Sequence, residues 1–407
     1  MPHSTGTLPP TFDRADGHAV FPKTDHDETA RLNFLTGLNV HIGKHLSPGV
    51  RTTFEARVKP DLKTENATDV RKAMLHEPTY QQWAALRRDT QERSQQASRE
   101  VALRHIDTLT AEANALNEGR NTLSLDTAVE IPRYQAAVDN HLMPGSYYSE
   151  ATPGDVTAAA TYEVSLFPIG GASFGPKGDG GGRAVANFIR DRFPDFAPKR
   201  IIDFGGGIGG NTLPLAAAYP DAEVIVVDTA APLLRYGHAR AQSMGYANVR
   251  FVQGAAETVE LEPGSADLIV SVMFWHETSL SCVRDGLAHM HELLAPDGLM
   301  LHLEQPNFDP DTPVFDRFMR DWDAYYNNEP FWTKLHTLDM FAEMERAGFA
   351  RDRQFDAGTE ADIEPGRFQP WSTIVTRHRH ETQHLNAVAR ATGYKGERWW
   401  LFGGWKD

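Results

Sequence analysis

The chain has 407 residues, 41% of them hydrophobic and 23% charged, with a net charge of −15 and a single cysteine, Cys282. That length supports two or three domains with sizeable cores, and no uninterrupted apolar run is long enough to span a bilayer. An acidic balance without a basic block excludes a polyanionic partner such as DNA or RNA and points to a small molecule. One cysteine cannot close an internal disulfide, which suits a reducing cytoplasm. No basic segment followed by an apolar one stands at the N-terminus, so no secretory signal is expected. The composition is compatible with a homodimer.

Residues 1–25 carry Pro, Gly, Thr and Asp with few large apolar groups, which predicts a mobile tail. From Glu28 on, Leu32, Leu35, Leu38, Ile42 and Leu46 recur at helical spacing. His41 and His45 lie four apart there, a spacing that can hold a metal but more often marks a structural pair. Residues 60–68 read as a polar connection and 69–117 as helical, punctuated by Pro78 and stopped by Gly119. The polar stretch 87–100 within that run reads as solvated or as a break. A turn at Met143-Pro144-Gly145-Ser146 then delivers two adjacent tyrosines, Tyr147 and Tyr148. Residues 26–150 thus form a helical domain expected over the substrate. Residues 151–182, rich in Gly, Ala, Thr and Ser around Tyr162, read as a lid or as a plain linker.

From 183 to 407 strand and helix alternate, as in an α/β, doubly wound, mostly parallel sheet. Ile201-Ile202-Asp203-Phe204 runs into a loop holding five glycines, and a second short apolar strand ends in Asp228. Glycines serve where a backbone turns sharply and meets a ligand closely. The strand–turn–helix setting puts the loop at the carboxyl edge of the sheet, where an acid on the neighbouring strand can accept both hydroxyls of a ribose. Further strands are expected at 248–252, 267–273 and 299–303. Leu280, Val283, Leu287, Met290 and Leu294 mark the clearest helix. Two more helices near 314–325 and 338–347 precede weaker strand candidates at 349–355 and 373–376.

The glycines fit two patterns. Gly205, Gly207 and Gly210 satisfy G-x-G-x-x-G, the dinucleotide fingerprint, with Asp228 near the expected spacing. Asp203, Gly205, Gly207 and Gly209 satisfy D-x-G-x-G-x-G. Together with Ala266–Ser271 and Leu293–Met300, the second pattern resembles the class I S-adenosylmethionine-dependent methyltransferases. That resemblance implies a seven-stranded Rossmann-like sheet whose last two strands pair antiparallel, the final one beside the fifth. It implies S-adenosylmethionine as cofactor, S-adenosylhomocysteine as product, and methylation of a small molecule on O, N, S or C. By the same resemblance Asp203 meets the cofactor's ammonium, Gly205, Gly207 and Gly209 hold its methionine end, and Asp228 takes the ribose. Ala255 and Ala256 stand where adenine is met, and the acid common there is missing or moved to Glu257. The first pattern keeps open an NAD(P)-dependent oxidoreductase. A relative that binds the cofactor for non-methylating chemistry is a further alternative.

After the fourth strand comes Phe274-Trp275-His276-Glu277. Methyl transfer is an in-line displacement, so the enzyme has to hold the nucleophile about 3 Å from the carbon and remove a proton where needed. His276 titrates near neutrality and suits a base, with Glu277 orienting it. The alternative is that His276 caps the strand or the next helix and Glu277 faces solvent. Glu304 and Gln305, ending the fifth strand, are second candidates. Tyr147, Tyr148, Tyr162, Trp275 and Trp371 can build an aromatic wall favouring a sulfonium and a flat or cationic acceptor, or can simply be core. His380-Glu381-Thr382-Gln383-His384 spells H-E-x-x-H, but Ala387 and Arg390 stand where the metzincin continuation needs Gly and His. No catalytic metal is expected.

Overall fold

The computed structural model describes residues 11–15, 17–63, 66–171, 174, 177–305, 307–308, 312–360, 375–377 and 398–407. Its centre is a nine-stranded sheet: β1 (Leu123–Ser124), β2 (Arg200–Phe204), β3 (Glu223–Asp228), β4 (Val249–Gln253), β5 (Ala266–Val272), β6 (Leu294–Glu304), β7 (Gln354–Glu360), β8 (Val375–Arg377) and β9 (Arg398–Trp405). They lie in the order β1-β4-β3-β2-β5-β6-β9-β7-β8. The six strands through β6 run parallel, and β9 inserts antiparallel between β6 and β7. Buried on both faces, β2, β3 and β5 read as continuous apolar runs rather than alternating ones.

The expected arrangement is present, widened from seven strands by β1 at one edge and β8 at the other. The inserted strand is 398–405, not 373–376, which instead overlaps the edge strand β8. A Gly403-Gly404 pair weakens the strand signal there. Packing demands the first of them: a Cβ on Gly403 would stand 2.3 Å from the Met300 carbonyl oxygen.

Helices cover the sheet, and three sequence expectations change here. The polar stretch 87–100 lies inside an unbroken helix, Pro78–Arg104. Thr90, Ser94 and Ser98 are buried in it and return their hydroxyls to Leu86, Thr90 and Ser94 carbonyls at 2.7 Å each. Small side chains that satisfy themselves along their own helix can face a neighbour as apolar ones do. That neighbour is Thr157–Ile169, an almost wholly buried helix in the place of the expected lid or linker. The described part of the expected tail is packed as well. Phe12 and Val20 are buried, and His18 Nε2 lies 2.9 Å from Glu163 Oε2. Glu163 also pairs with Arg240 at 3.1 Å and accepts the Tyr236 hydroxyl, so a buried ionic knot joins residue 18 to the core helix Ala231–Ser243.

The helical layer has a second source. Helices Val314–Arg320 and Trp322–Tyr326, between β6 and β7, bury Phe315, Phe318 and Trp322 against Ile42, Phe54, Tyr80 and Trp83. Val20, Ala102, Leu109 and Met143 share one apolar cluster with Ile208, Leu233 and Tyr236 of the core. The helical region is thus continuous with the sheet domain through a common core. Among the described residues, no helix is long and apolar enough to cross a membrane.

Candidate active site

At the carboxyl ends of β2, β3 and β5 lies a cavity of about 280 Å³. Asp203, Gly205, Gly207, Asp228 and Ala256 line it, and so do Tyr147, Tyr162, His276, Glu277 and Trp332. The first set is built by the strand ends. Gly205 has φ +69°, and a Cβ there would stand 2.3 Å from the Phe274 ring, so both the turn and the close approach require glycine. Gly207 donates its N–H to Asp228 Oδ2 at 3.0 Å, and Ala230 donates to Oδ1 at 2.9 Å. Burial pushes Asp228 up to about 6, against those backbone hydrogen bonds. Asp203 is deeper still. Its Oδ2 accepts the Thr212 hydroxyl, its Oδ1 has no hydrogen-bond partner among the described residues, and burial pushes it up to about 7.

The second set hangs on His276. A left-handed Met273 (φ 55°) ends β5 and leads into the short turn Trp275–Glu277. Glu304, fully buried at the end of β6, accepts from His276 Nδ1 at 2.9 Å and from the Trp275 backbone N–H. That bond fixes the imidazole and leaves Nε2 toward Glu277 Oε1, 3.8 Å away. Burial works against charging His276, and Glu304 outweighs it, so the ring sits above its ordinary pKa.

Glu277 accepts the Tyr147 hydroxyl at 2.8 Å and lies 2.9 Å from His141 Nε2. Burial opposes its charge too, and His141 more than compensates, holding Glu277 below the usual carboxylate range. On the far side of the same imidazole, His141 Nδ1 lies 2.5 Å from Oε1 of Glu329, whose pKa is raised by burial. His141 itself (φ 54°) and Asn328 (φ 56°), next to Glu329, are both left-handed. Such backbone costs of order 1–3 kcal/mol per residue and tends to gather at functional sites.

The remaining sequence candidates fall elsewhere. Trp275 is buried under the sheet with Phe204, Ile225 and Val283, so it is core and no part of the cavity wall. Tyr148 packs on the helical cluster around Ala102 and Met143. Gly209 (φ +73°) serves the turn, and a Cβ there would stand 3.1 Å from the Phe251 ring. Ala255 and Glu304 lie outside the lining, Ala256 and Gln305 within it. Glu304 acts by holding His276. Trp371 and the 380–384 motif lie outside the described residues. His141, Glu329 and Trp332 escaped the sequence reading. No local pattern marks them, since they come from the N-terminal region and from the insertion after β6.

Comparison with known proteins places the core. Residues 201–298 match the family described as methyltransferase domain. The demethylmenaquinone methyltransferase of Thermus thermophilus is 33% identical over 110 residues, covering 27% of this chain and 49% of that protein. A trans-aconitate 2-methyltransferase of Methylobacterium radiotolerans is 36% identical over 114 residues, 27% of this chain and 39% of that one. Among solved structures, the YcgJ protein of Bacillus subtilis aligns at 22% identity with a TM-score of 0.37, over 54% of this chain and 97% of that one. The chain spans about half the length of the curated relatives it matches. Residues 201–298 of its core are thus similar to methyltransferase domains.

Proposed function

We propose that this chain binds S-adenosylmethionine at the Asp203–Asp228 unit and methylates a small molecule held beside His276 and Glu277. The observation that carries this reading is a single cavity lined both by the glycine loop with its two strand-end acids and by an imidazole–carboxylate group. Asp203 fits the cofactor's cationic end, because Oδ1 is a buried carboxylate oxygen without a partner among the described residues. Asp228 has lone pairs left for ribose hydroxyls after its two backbone bonds. When bound, the cofactor supplies an electrophilic methyl group on a sulfonium.

The chain's own residues then have distinct tasks. Glu304 fixes the His276 ring, and Tyr147 and His141 fix Glu277, so both acceptor-side groups are held before substrate arrives. His276 and Glu277 orient the acceptor and take its proton where it carries one. Tyr147, Tyr162 and Trp332 exclude water and suit a flat acceptor. A net charge of −15 favours a small molecule over a nucleic acid, and the single cysteine suits a reducing cytoplasm. Calorimetric titration with S-adenosylmethionine, S-adenosylhomocysteine and NAD(H) tests the reading. Binding of the first two alone is expected, and binding of NAD(H) alone would return the oxidoreductase reading.

A further inference from the structure

We propose that His141, His276, Glu277 and Glu329 bind one divalent transition-metal ion on the acceptor side of the cavity. One ligand atom from each lies within 4.8 Å of all the others. Metal–nitrogen and metal–oxygen bonds of about 2.0–2.2 Å place the ligand atoms of a tetrahedral ion about 3.3–3.6 Å apart. The widest-spaced atoms therefore close by about 1.3 Å, and the His141 contacts at 2.9 and 2.5 Å open as the ion enters. Three separate segments converge to make this group: the loop after the N-terminal helices, the end of β5 and the insertion after β6.

Three further observations favour an ion over a plain hydrogen-bonded network. Glu329 is fully buried, and neither of its carboxylate oxygens has a hydrogen-bond partner among the described residues. Its Oε1 is close to His141 Nδ1 but off the line of a hydrogen bond. A buried carboxylate whose one charged neighbour is a misaligned imidazole has lone pairs left that an ion can complete. His276 is arranged as metal-bound imidazoles commonly are, with Nδ1 on a buried carboxylate, Glu304, and Nε2 turned into the group. Charge points the same way. Three carboxylates, Glu277, Glu304 and Glu329, stand around two imidazoles, so acids outnumber bases in the group.

The donor set selects the ion class. Two imidazoles and two carboxylates suit Zn²⁺, Fe²⁺ or Mn²⁺, whereas Mg²⁺ and Ca²⁺ prefer all-oxygen sites and Cu⁺ prefers sulfur. His141, His276 and Glu277 line the cavity, so an ion there keeps a face toward the acceptor. Its role in the reaction rests on the methyl-transfer reading. With the ion bound, His276 and Glu277 would serve as its ligands rather than as the base. The ion would hold the acceptor through an oxygen or nitrogen lone pair and favour that donor's ionised form. Binding of the ion itself does not depend on that reading.

The test is calorimetric titration of the full, tag-free chain with ZnCl₂ and MnCl₂ after chelator dialysis, in parallel with S-adenosylhomocysteine. One ion per chain is expected. Glu329→Gln and His141→Asn should each weaken it at least about tenfold while leaving S-adenosylhomocysteine affinity unchanged. The double variant His380→Ala/His384→Ala should keep the full stoichiometry, and it decides the matter if the other variants do not fold. Absence of stoichiometric binding in the folded chain overturns the proposal, as does an ion lost in the 380/384 variant. S-adenosylhomocysteine binding without an ion leaves methyl transfer standing alone. An ion without cofactor binding leaves the site standing and removes the methyl-transfer reading.

Discussion

The two halves of the cavity are built by opposite means. The half proposed for the cofactor comes from one stretch, Asp203 to Ala256, and is made of backbone turns and strand-end acids. The half proposed for the acceptor gathers His141, Tyr147, Tyr162, His276, Glu277, Glu329 and Trp332 from four distant segments, and is made of side chains holding one another. A cradle for a common cofactor is a matter of local geometry, which any chain with this fold can reuse. Recognition of a particular acceptor is grafted onto it by whatever elements cover the sheet. The first is written in consecutive residues, and the second exists only once the chain is folded.

If the halves are physically distinct, their losses should separate. The largest effect belongs to the acceptor half. His276→Ala should lower turnover by about 10²–10⁴-fold and leave S-adenosylhomocysteine affinity nearly unchanged. Single-turnover kinetics beside calorimetry reads both, and a parallel loss of cofactor affinity would merge the halves. Next comes Asp228→Ala in the cofactor half. Removing a hydrogen-bonding carboxylate should weaken S-adenosylhomocysteine binding by about ten- to a hundred-fold. At saturating cofactor its turnover should recover, which the His276 variant's should not.

That division also explains what could be read in advance. The parallel sheet, the glycine loop, Asp203, Asp228 and the position of His276 after the fourth strand follow from apolar runs broken by turn residues. What stayed hidden was long-range. Trp275 lies next to His276 in sequence, yet the turn sends it under the sheet while His276 faces the cavity. Glu304 was found as a strand-end acid, but its hold on His276 needs β5 and β6 side by side. Glu329 sits in Asn-Asn-Glu-Pro, an ordinary loop sequence, and gains meaning only opposite His141. The 87–100 stretch misled because Thr and Ser look solvated in a sequence, while in a helix they can bond backward and be buried.

The cofactor half carries a pH signature of its own. Burial holds Asp203 at about 7 and Asp228 at about 6 in the free chain. Below those values each carboxyl is neutral, and pairing with an ammonium or accepting ribose hydroxyls first requires loss of a proton. Affinity for S-adenosylhomocysteine should therefore rise with pH up to about 7, by at most about tenfold per unit for each group, and level off above. Asp203→Asn should remove most of the slope between about 6 and 7 and roughly halve it below about 6, where Asp228 alone is left to titrate. Calorimetry across pH 5.5 to 8 at fixed ionic strength, roughly spanning both transitions, checks the sign. A flat profile in the native chain would mean that both acids are already ionised and that burial is overcome in the empty site.

The smallest effect offers the sharpest comparison, because it sets neighbouring residues against each other. Tyr147 and Tyr148 are equivalent in the sequence, two tyrosines after one turn. In the fold Tyr147 lines the cavity, stacks edge-on to Tyr162 with ring centres 5.5 Å apart, and donates its hydroxyl to Glu277 at 2.8 Å. Tyr148 packs its ring on the helical cluster instead. Tyr147→Phe keeps the ring and deletes one hydrogen bond, so Glu277 loses a restraint and turnover should fall about two- to tenfold. Cofactor affinity should not move, since the hydroxyl touches only the acceptor half. Tyr148→Phe should change neither turnover nor affinity measurably. Equal effects from the two variants would mean that the loop 143–148 is seated differently when acceptor is bound, and that the acceptor half is assembled by the substrate rather than before it.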